Sequence, residues 1–368
     1  MSAKVCVVAA GGTGGHMFPA EALARELAGR GWRIVLATDR RGEHYAGAFP
    51  AEERLALDAA TGSGPIGLAR AGLAISRGVL QARSAFRRLD VAVAVGFGGY
   101  PSAPALLAAI GQRRPTLLHE QNAVLGRTNR MLAPYVKALA SSFPVLERVP
   151  APLVSRVHLV GNPVRPDIRA LFERPYTAPT ARGPIRVLIT GGSQGARILS
   201  EVAPRALAAL PSALRARLVV QQQSRPETLE AAQVIYRDAG IEAEVAPFFT
   251  DMAARLSSVH LVIGRAGAST CSELAVAALP SVLIPLKIAM DDHQRFNAAG
   301  LVAGGGAVMI LEDAANVESL TASLADILSD PARLATMSAG ARSVALPDAA
   351  ARLADLVEAT ADQAAIRS

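Results

Sequence analysis

The stretch 259–297, VHLVIGRAGASTCSELAVAALPSVLIPLKIAMDDHQRFN, permits few folds. Its apolar run at 260–263 predicts a buried strand that stops at Gly264. A turn of small residues follows, and Ser269-Thr270 open a helix that runs through Glu273 to Leu279. Pro280 ends the helix, and a second apolar run begins at Ser281. Strand, small-residue turn, helix, strand is half of a parallel α/β sheet. Such a turn brings unpaired backbone N–H groups and a helix N-terminus to the carboxyl edge of the sheet, where anions bind. A carboxylate at Glu273 would repel a phosphate there, but it suits ribose hydroxyls. Asp291, Asp292, His293 and Gln294 follow the next strand onto the same edge. Together they suggest a site for a nucleotide joined to a polar sugar. The turn alone would serve equally as a βαβ crossover with a helix-capping glutamate.

The rest of the chain repeats the plan. A strand at 4–10 leads into Gly11-Gly12-Thr13-Gly14-Gly15-His16, then a helix at about 19–28 with Pro19 in its first turn, and a strand at 33–38. A strand at 90–95 leads into Gly96-Phe97-Gly98-Gly99-Tyr100-Pro101 and a helix at 103–110. The strand at 115–119 closes on His119-Glu120-Gln121-Asn122, which is either an ordinary loop or part of a site. Residues 162–184 hold Pro163, Pro166, Pro175, Pro179 and Pro184, the chemistry of a linker between domains. The second half restarts with a strand at 185–190 and Gly191-Gly192-Ser193-Gln194-Gly195-Ala196-Arg197. Beyond Gly304-Gly305-Gly306 the chain reads as mostly helical. The first glycine turn lacks the dinucleotide spacing, because the third glycine would fall at Met17. Asp39 nevertheless stands where an NAD-binding acid would, so an NAD-dependent oxidoreductase stays open. No P-loop lysine follows either turn, which argues against a nucleoside triphosphatase.

Composition narrows the class. A chain of 368 residues can bury two cores. With 51% hydrophobic but only 4% aromatic residues, small aliphatic side chains must do the packing, which favours α/β layers. A net charge of +7 favours acidic partners, namely nucleotides or an anionic membrane surface. Nucleic acid is not expected, since no recognition motif or basic tail accompanies the charge. Cys6 and Cys271 read as buried free thiols of a reducing compartment. The chain starts directly on a strand, so no signal peptide is expected, and no apolar run approaches the ~20 residues that span a bilayer.

Seven motifs carry a resemblance over nearly the whole chain: GGTGGH (11–16), GFGGYPS (96–102), HEQN (119–122), GNPVR (161–165), GGSQGAR (191–197), GASTCSE (267–273) and DDHQRFNA (291–298). On these the sequence resembles the MurG family of peptidoglycan N-acetylglucosaminyltransferases. The resemblance implies a GT-B fold, two Rossmann-like parallel-sheet domains facing across a cleft. Residues 1–163 would form the acceptor and membrane-side domain and 164–345 the UDP-sugar domain. The helix in 346–368 would pack back on the first domain. The implied reaction is inverting transfer from UDP-N-acetylglucosamine to the 4-hydroxyl of the N-acetylmuramoyl residue of lipid I, giving lipid II, with no cofactor and no metal. It implies a peripheral enzyme on the cytoplasmic face of the bacterial inner membrane. Cell-wall biogenesis, cell shape and division would depend on it, and other cell-wall synthesis proteins would be its partners.

Carried over residue by residue, the family's donor contacts fall on Thr13, Gly14, Gly15, Asn122, Arg165, Ser193, Ala268, Ser269, Thr270, Cys271, Ser272, Glu273 and Gln294. Phe249 would offer a backbone contact to uracil, and His293 stands where some members have a second glutamine. Gly12, Gly98, Gly99 and Tyr100 would line the acceptor and its diphosphate. The reaction needs a base for the acceptor hydroxyl. His16 is preferred, because the positive end of a helix favours a neutral, proton-accepting ring, and Glu120 is the runner-up. Alternatives on the same fold are a UDP-N-acetylglucosamine 2-epimerase or another glycolipid synthase. A non-catalytic sugar-nucleotide binder is a third class.

A membrane-bound acceptor also requires a docking face. Residues 61–89 contain no acid and five arginines. On a helix at 69–89, about 100° per residue puts Arg70, Arg77 and Arg88 on one face, with Leu73 and Leu80 between them and Arg87. Ile75, Val79 and Phe86 fall opposite, toward the core. An apolar strip flanked by cations suits an anionic lipid surface. A solvated surface helix is the plain alternative.

Overall fold

The computed structural model describes residues 3–11, 14–40, 42, 49–192 and 195–365. The chain divides into two compact units, Met1–Arg165 with Asp348–Ser368, and Pro166–Pro347. Each is a doubly wound α/β layer built on an all-parallel sheet.

In the first unit, seven strands run β1 (Val5–Ala9), β2 (Arg33–Thr38), β3 (Glu53–Ala56), β4 (Val91–Gly96), β5 (Thr116–Glu120), β6 (Ala138–Ser141) and β7 (Val157–Leu159). Their order across the sheet is β3-β2-β1-β4-β5-β6-β7. In the second unit, β8 (Ile185–Thr190), β9 (Leu218–Gln223), β10 (Glu242–Ala246), β11 (Leu261–Gly264), β12 (Ser281–Leu283) and β13 (Ala307–Met309) stand in the order β10-β9-β8-β11-β12-β13. The strand order reverses between β1 and β4 in one sheet and between β8 and β11 in the other. Crevices at such reversals, outside the carboxyl ends of the strands, are where open α/β sheets bind ligands. All four glycine-rich turns follow these four strands.

The continuous apolar runs have a direct cause. Cys6 and Val8 of β1 face one core cluster, and Val5, Val7 and Ala9 face another, so both sides of the strand are buried. The first cluster takes in helix α1 (Gly14–Gly29), and the second takes in α2 (Gly64–Leu89) and α3 (Ala103–Gly111). The cores contain no disulfide. Cys6 and Cys271 are free and buried, and burial pushes the Cys271 thiol up to about 12.

Several expectations change. Helix α1 begins at Gly14, five residues before Pro19, so Pro19 lies inside the helix rather than in its first turn. The proline withholds the N–H that would bond the carbonyl of Gly15, loosening the turn that carries His16. Strands β3, β6 and β13 have no counterpart in the sequence reading. They are three or four residues long, too short to show a period. Helix α2 extends to 26 residues despite Gly72 and Gly78. Phe86 is fully buried and Val79 packs on the core, but Ile75 is only half-buried.

The last helix, α11 (Ala349–Ala365), lies against α1. Leu353, Ala354 and Val357 enter the first core cluster. Around them Arg30 pairs with Asp355 at 2.6 Å and Glu358 at 2.8 Å, and the Trp32 indole donates to Glu358 at 3.0 Å. Among the described residues, no helix is long and apolar enough to cross a membrane.

Candidate active site

At the carboxyl edge of the first sheet, three loops converge on His16. It sits half-exposed in the first turn of α1. Its Nδ1 lies 3.0 Å from Oε1 of Gln121, just past β5. Gln121 Nε2 lies 3.1 Å from His119 Nδ1, and His119 Nε2 lies 3.0 Å from the carbonyl oxygen of Gly161, just past β7. Burial pushes the His119 pKa down to about 4. Opposite His16, Gly98 and Gly99 both have positive φ, 81° and 68°. A Cβ on Gly99 would stand 3.5 Å from His16 Nε2, an ordinary contact, so it is the positive φ that favours glycine there. Gly11 is constrained by space instead, since a Cβ there would meet Pro101 at 2.7 Å.

Glu120 is 4% exposed and both of its oxygens are occupied. Oε1 accepts from the Asn122 amide nitrogen at 3.1 Å, and Oε2 accepts from the Gly126 N–H at 2.9 Å and Asn129 Nδ2 at 2.8 Å. Its carboxylate thus ties the loop after β5 to helix α4 (Arg127–Leu132). Tyr100 donates to Asp39 at 3.2 Å, and Asp39 also accepts from the Gly42 N–H at 2.9 Å. That carboxylate serves the loop, and a dinucleotide ribose would have to compete with both bonds. Arg165 is half-buried, with its guanidinium carbon 5.5 Å from the centre of the Phe18 ring on α1. Asn162 is buried with neither amide atom hydrogen-bonded. The expected contacts at Gly12, Thr13 and Ser193 lie outside the described residues.

The second sheet presents two turns at its reversal. Gln223 pins the turn after β8. Its Oε1 accepts from the Thr190 hydroxyl at 3.0 Å and the Gly191 N–H at 3.2 Å, while its Nε2 donates to the Gly192 carbonyl at 2.9 Å. A Cβ on Gly191 would stand 2.3 Å from the Ala196 nitrogen, so only glycine fits. After β11 the chain enters α7 (Ala268–Val276) through Gly267, with no side-chain cap. A helix start of this kind leaves the first-turn N–H groups of Ala268, Ser269 and Thr270 without an intrahelical acceptor, which is the arrangement that holds a phosphate. Ala268 and Cys271 are buried, so a ligand can meet them only through the backbone. Ser269, Thr270, Ser272 and Glu273 are half-exposed.

Arg265 buttresses this turn. It donates to the Ile284 carbonyl at 3.1 Å and to Glu312 at 2.8 Å, and Glu312 also accepts from the Lys287 N–H at 2.6 Å. Burial works against the Glu312 charge, but these hydrogen bonds outweigh it and hold the carboxyl below its ordinary range. Gln294, in α8 (His293–Ala303), accepts on Oε1 from the N–H groups of Ala266 at 3.2 Å and Leu286 at 3.0 Å. Its oxygen is therefore committed, and its NH2 is the part that can meet a ligand. His293 Nδ1 lies 2.8 Å from the Met290 carbonyl. Asp291 and Asp292 both hold left-handed backbone, at φ 58° and 56°. Aspartate is one of the few side chains that tolerate this backbone, and the two together turn the chain into α8. Phe249 is buried under the Arg255 guanidinium, 3.7 Å from its ring centre, so it too offers its backbone.

The sequence reading missed Gln223, Arg265, Glu312 and Asn129. One signal was present: three consecutive glutamines, Gln221–Gln223, end an otherwise apolar strand.

On the membrane-side question, Arg70, Arg77, Arg87 and Arg88 are exposed on α2. Leu73 and Leu80 are 56% and 66% exposed, and Ile66, one heptad earlier, is 71% exposed. The fold also brings acidic groups to this face. Arg88 is ion-paired with Glu53, and Asp58 shares a depression with Arg70, Leu73 and Arg77.

Comparison with known proteins agrees with this fold. Residues 6–141 match the glycosyltransferase family 28 N-terminal domain and 186–353 its C-terminal domain. A Caulobacter vibrioides protein named UDP-N-acetylglucosamine–N-acetylmuramyl-(pentapeptide) pyrophosphoryl-undecaprenol N-acetylglucosamine transferase is 61% identical over 360 residues, 97% of this chain and 99% of that one. The crystal structure of Acinetobacter baumannii MurG superposes with a TM-score of 0.79 at 32% identity, covering 96% of this chain and 99% of the other. A Neisseria meningitidis UDP-GlcNAc 2-epimerase shares the fold alone, with a TM-score of 0.66 at 12% identity, covering 97% and 99%. The chain belongs to the MurG family, within glycosyltransferase family 28.

Proposed function

We propose that this chain transfers N-acetylglucosamine from UDP-N-acetylglucosamine to the 4-hydroxyl of the N-acetylmuramoyl residue of lipid I, with inversion, forming lipid II. The observation that carries the reading is the 61% identity to a transferase of that name across 97% of the chain. The fold likeness to a 2-epimerase, at 12% identity, does not weigh against it.

In this reading the second unit holds the donor. The turn locked by Gln223, with Ser193, and the open first turn of α7 supply N–H groups to the diphosphate. Glu273, one turn further along α7, accepts from the ribose hydroxyls. The Phe249 backbone meets uracil, and the Gln294 NH2 donates to a sugar oxygen. Arg165 offsets charge growing on the departing UDP. Thr13, Gly14, Gly15 and Asn122 complete the donor contacts, and Gly98, Gly99 and Tyr100 line the acceptor. The acceptor hydroxyl loses its proton to His16 Nε2 as its oxygen bonds to the anomeric carbon. The bond from that carbon to the UDP oxygen breaks, and its electron pair leaves with the diphosphate. Glu120 is better suited to holding the loop than to taking the proton, because both of its oxygens already accept hydrogen bonds. Helix α2 docks on anionic lipid at the cytoplasmic face of the inner membrane, through Ile66, Leu73 and Leu80 flanked by Arg70, Arg77 and Arg87.

Transfer of labelled N-acetylglucosamine to a short-chain lipid I analogue tests the activity. Formation of UDP-N-acetylmannosamine from the donor alone, with no transfer, would instead support an epimerase. Loss of turnover in Glu120→Gln with near-normal turnover in His16→Ala would exchange the two residues' roles.

A further inference from the structure

A histidine is a base only at the ring nitrogen that lacks a proton, so His16 can serve the acceptor only as one of its two neutral tautomers. Donor and acceptor chemistry along the chain behind it decides which. The Gly161 carbonyl can only accept, so the His119 Nε2 that lies 3.0 Å away carries a hydrogen. His119 is wholly buried and uncharged at neutral pH, which leaves its Nδ1 bare. The Gln121 amide atom 3.1 Å from that bare nitrogen must then be the NH2. A second acceptor, the His119 carbonyl at 3.4 Å, holds the NH2 on the same side. Turning the amide over would set its oxygen against both acceptors. The Gln121 oxygen therefore faces His16, 3.0 Å from Nδ1, and it too can only accept. His16 carries its hydrogen on Nδ1, and its Nε2 lone pair is left facing the Gly98-Gly99 turn, where a Cβ on Gly99 would stand 3.5 Å off.

We propose that Gln121 and His119 are positioning residues that lock His16 in the Nδ1–H tautomer, with the Gly161 carbonyl as the fixed end of the relay. The proposal rests on the reading of His16 as the base. It assigns the relay to two side chains that touch no reacting atom. The bond from Nδ1–H to Gln121 serves the neutral ring and the imidazolium alike, so proton uptake at Nε2 requires no rearrangement behind the ring. The Phe97 ring, its centre 5.2 Å from that of His119, holds the inner imidazole in place.

The test is nitrogen NMR on the full chain labelled in histidine, with the His16 signals assigned by their loss in His16→Ala. In the unsubstituted protein at neutral pH, His16 Nδ1 should show the shift of a protonated ring nitrogen and Nε2 that of a bare one. In Gln121→Leu and in His119→Phe the pattern should change to a mixture or to the Nε2–H form. Turnover should fall about tenfold or more, a part of the roughly 10²–10⁴-fold that a positioned base contributes, while the donor KM stays within about twofold. A merely structural role would move stability and KM but leave the tautomer alone. An Nε2–H ring in the unsubstituted protein overturns the lock even if neither variant folds, and so does an unchanged tautomer in both variants. If the tautomer behaves as stated but His16→Ala keeps near-normal turnover, the lock stands and the base assignment falls.

Discussion

At the scale of single residues, Glu273 and His119 illustrate opposite uses of burial. Glu273 stays half-exposed one turn into α7, where a carboxylate can accept from two adjacent hydroxyls. Glu273→Ala should weaken UDP binding by roughly 1.5–3 kcal/mol, about one to two decades in Kd. Calorimetric titration with UDP measures this, and an unchanged Kd would remove Glu273 from the ribose. His119 is buried instead, with its pKa lowered by burial from 6.5 to about 4. As pH falls below 6.5 the unfolded chain binds this proton first, so stability is full above 6.5 and is lost progressively down to about 4. The loss should reach roughly 2–3 kcal/mol at about pH 4.5. Trp32 is the only tryptophan and lies in the first unit, so its fluorescence reads the unfolding of that unit. Urea midpoints followed at Trp32 should drop less between neutral pH and pH 4.5 in His119→Phe than in the unsubstituted protein. Equal drops would place the acid sensitivity elsewhere.

At the scale of elements, α2 is the informative one. Ile66, Leu73 and Leu80 recur every seven residues, so they make one exposed strip, and Arg70 and Arg77 flank it on one side with Arg87 on the other. Arg88 is a weaker contributor than the sequence suggested, because Glu53 already pairs with it. Near anionic headgroups each unpaired arginine contributes about 1 kcal/mol, screened by salt. Arg70→Glu with Arg77→Glu should therefore reduce flotation with anionic vesicles by about tenfold or more at low salt. Ile66, Leu73 and Leu80 changed to Ser should reduce it as well. UDP affinity should hold in both sets. Flotation that ignores both would move docking to another face.

At the scale of the whole molecule, the chain leaves the first unit at Arg165 and returns to it at Asp348. Arg30 and Trp32 hold the returning helix through Asp355 and Glu358, so the first unit is complete only when the last residues are in place. Multi-domain chains depart from two-state unfolding, so the two units should give two midpoints, which two different signals can separate. A donor held by the second unit should stabilise that unit by about 2.7 kcal/mol at a hundredfold excess over Kd. UDP-N-acetylglucosamine should then raise the unfolding midpoint seen by circular dichroism more than the midpoint seen at Trp32. A shift confined to Trp32 would put the donor in the wrong unit.

The sequence alone determined the parallel α/β class, the two-fold restart and the position of each glycine turn. These follow from local chemistry: apolar runs buried on both faces, glycines where φ is positive or backbones touch, and a proline, Pro280, between a helix and the next strand. Motif order carried the family. The short strands β3, β6 and β13 were not legible, because three or four residues show no period and pair only when a neighbouring strand is present. Nor was Glu120 legible as a loop tie, since its partners Gly126 and Asn129 lie six and nine residues on, in a loop and a helix that only folding brings back. The Gln121–His119–Gly161 relay was equally hidden. It joins residues 105 and 42 positions apart, and which ring nitrogen carries a proton depends on a carbonyl that only the tertiary structure delivers.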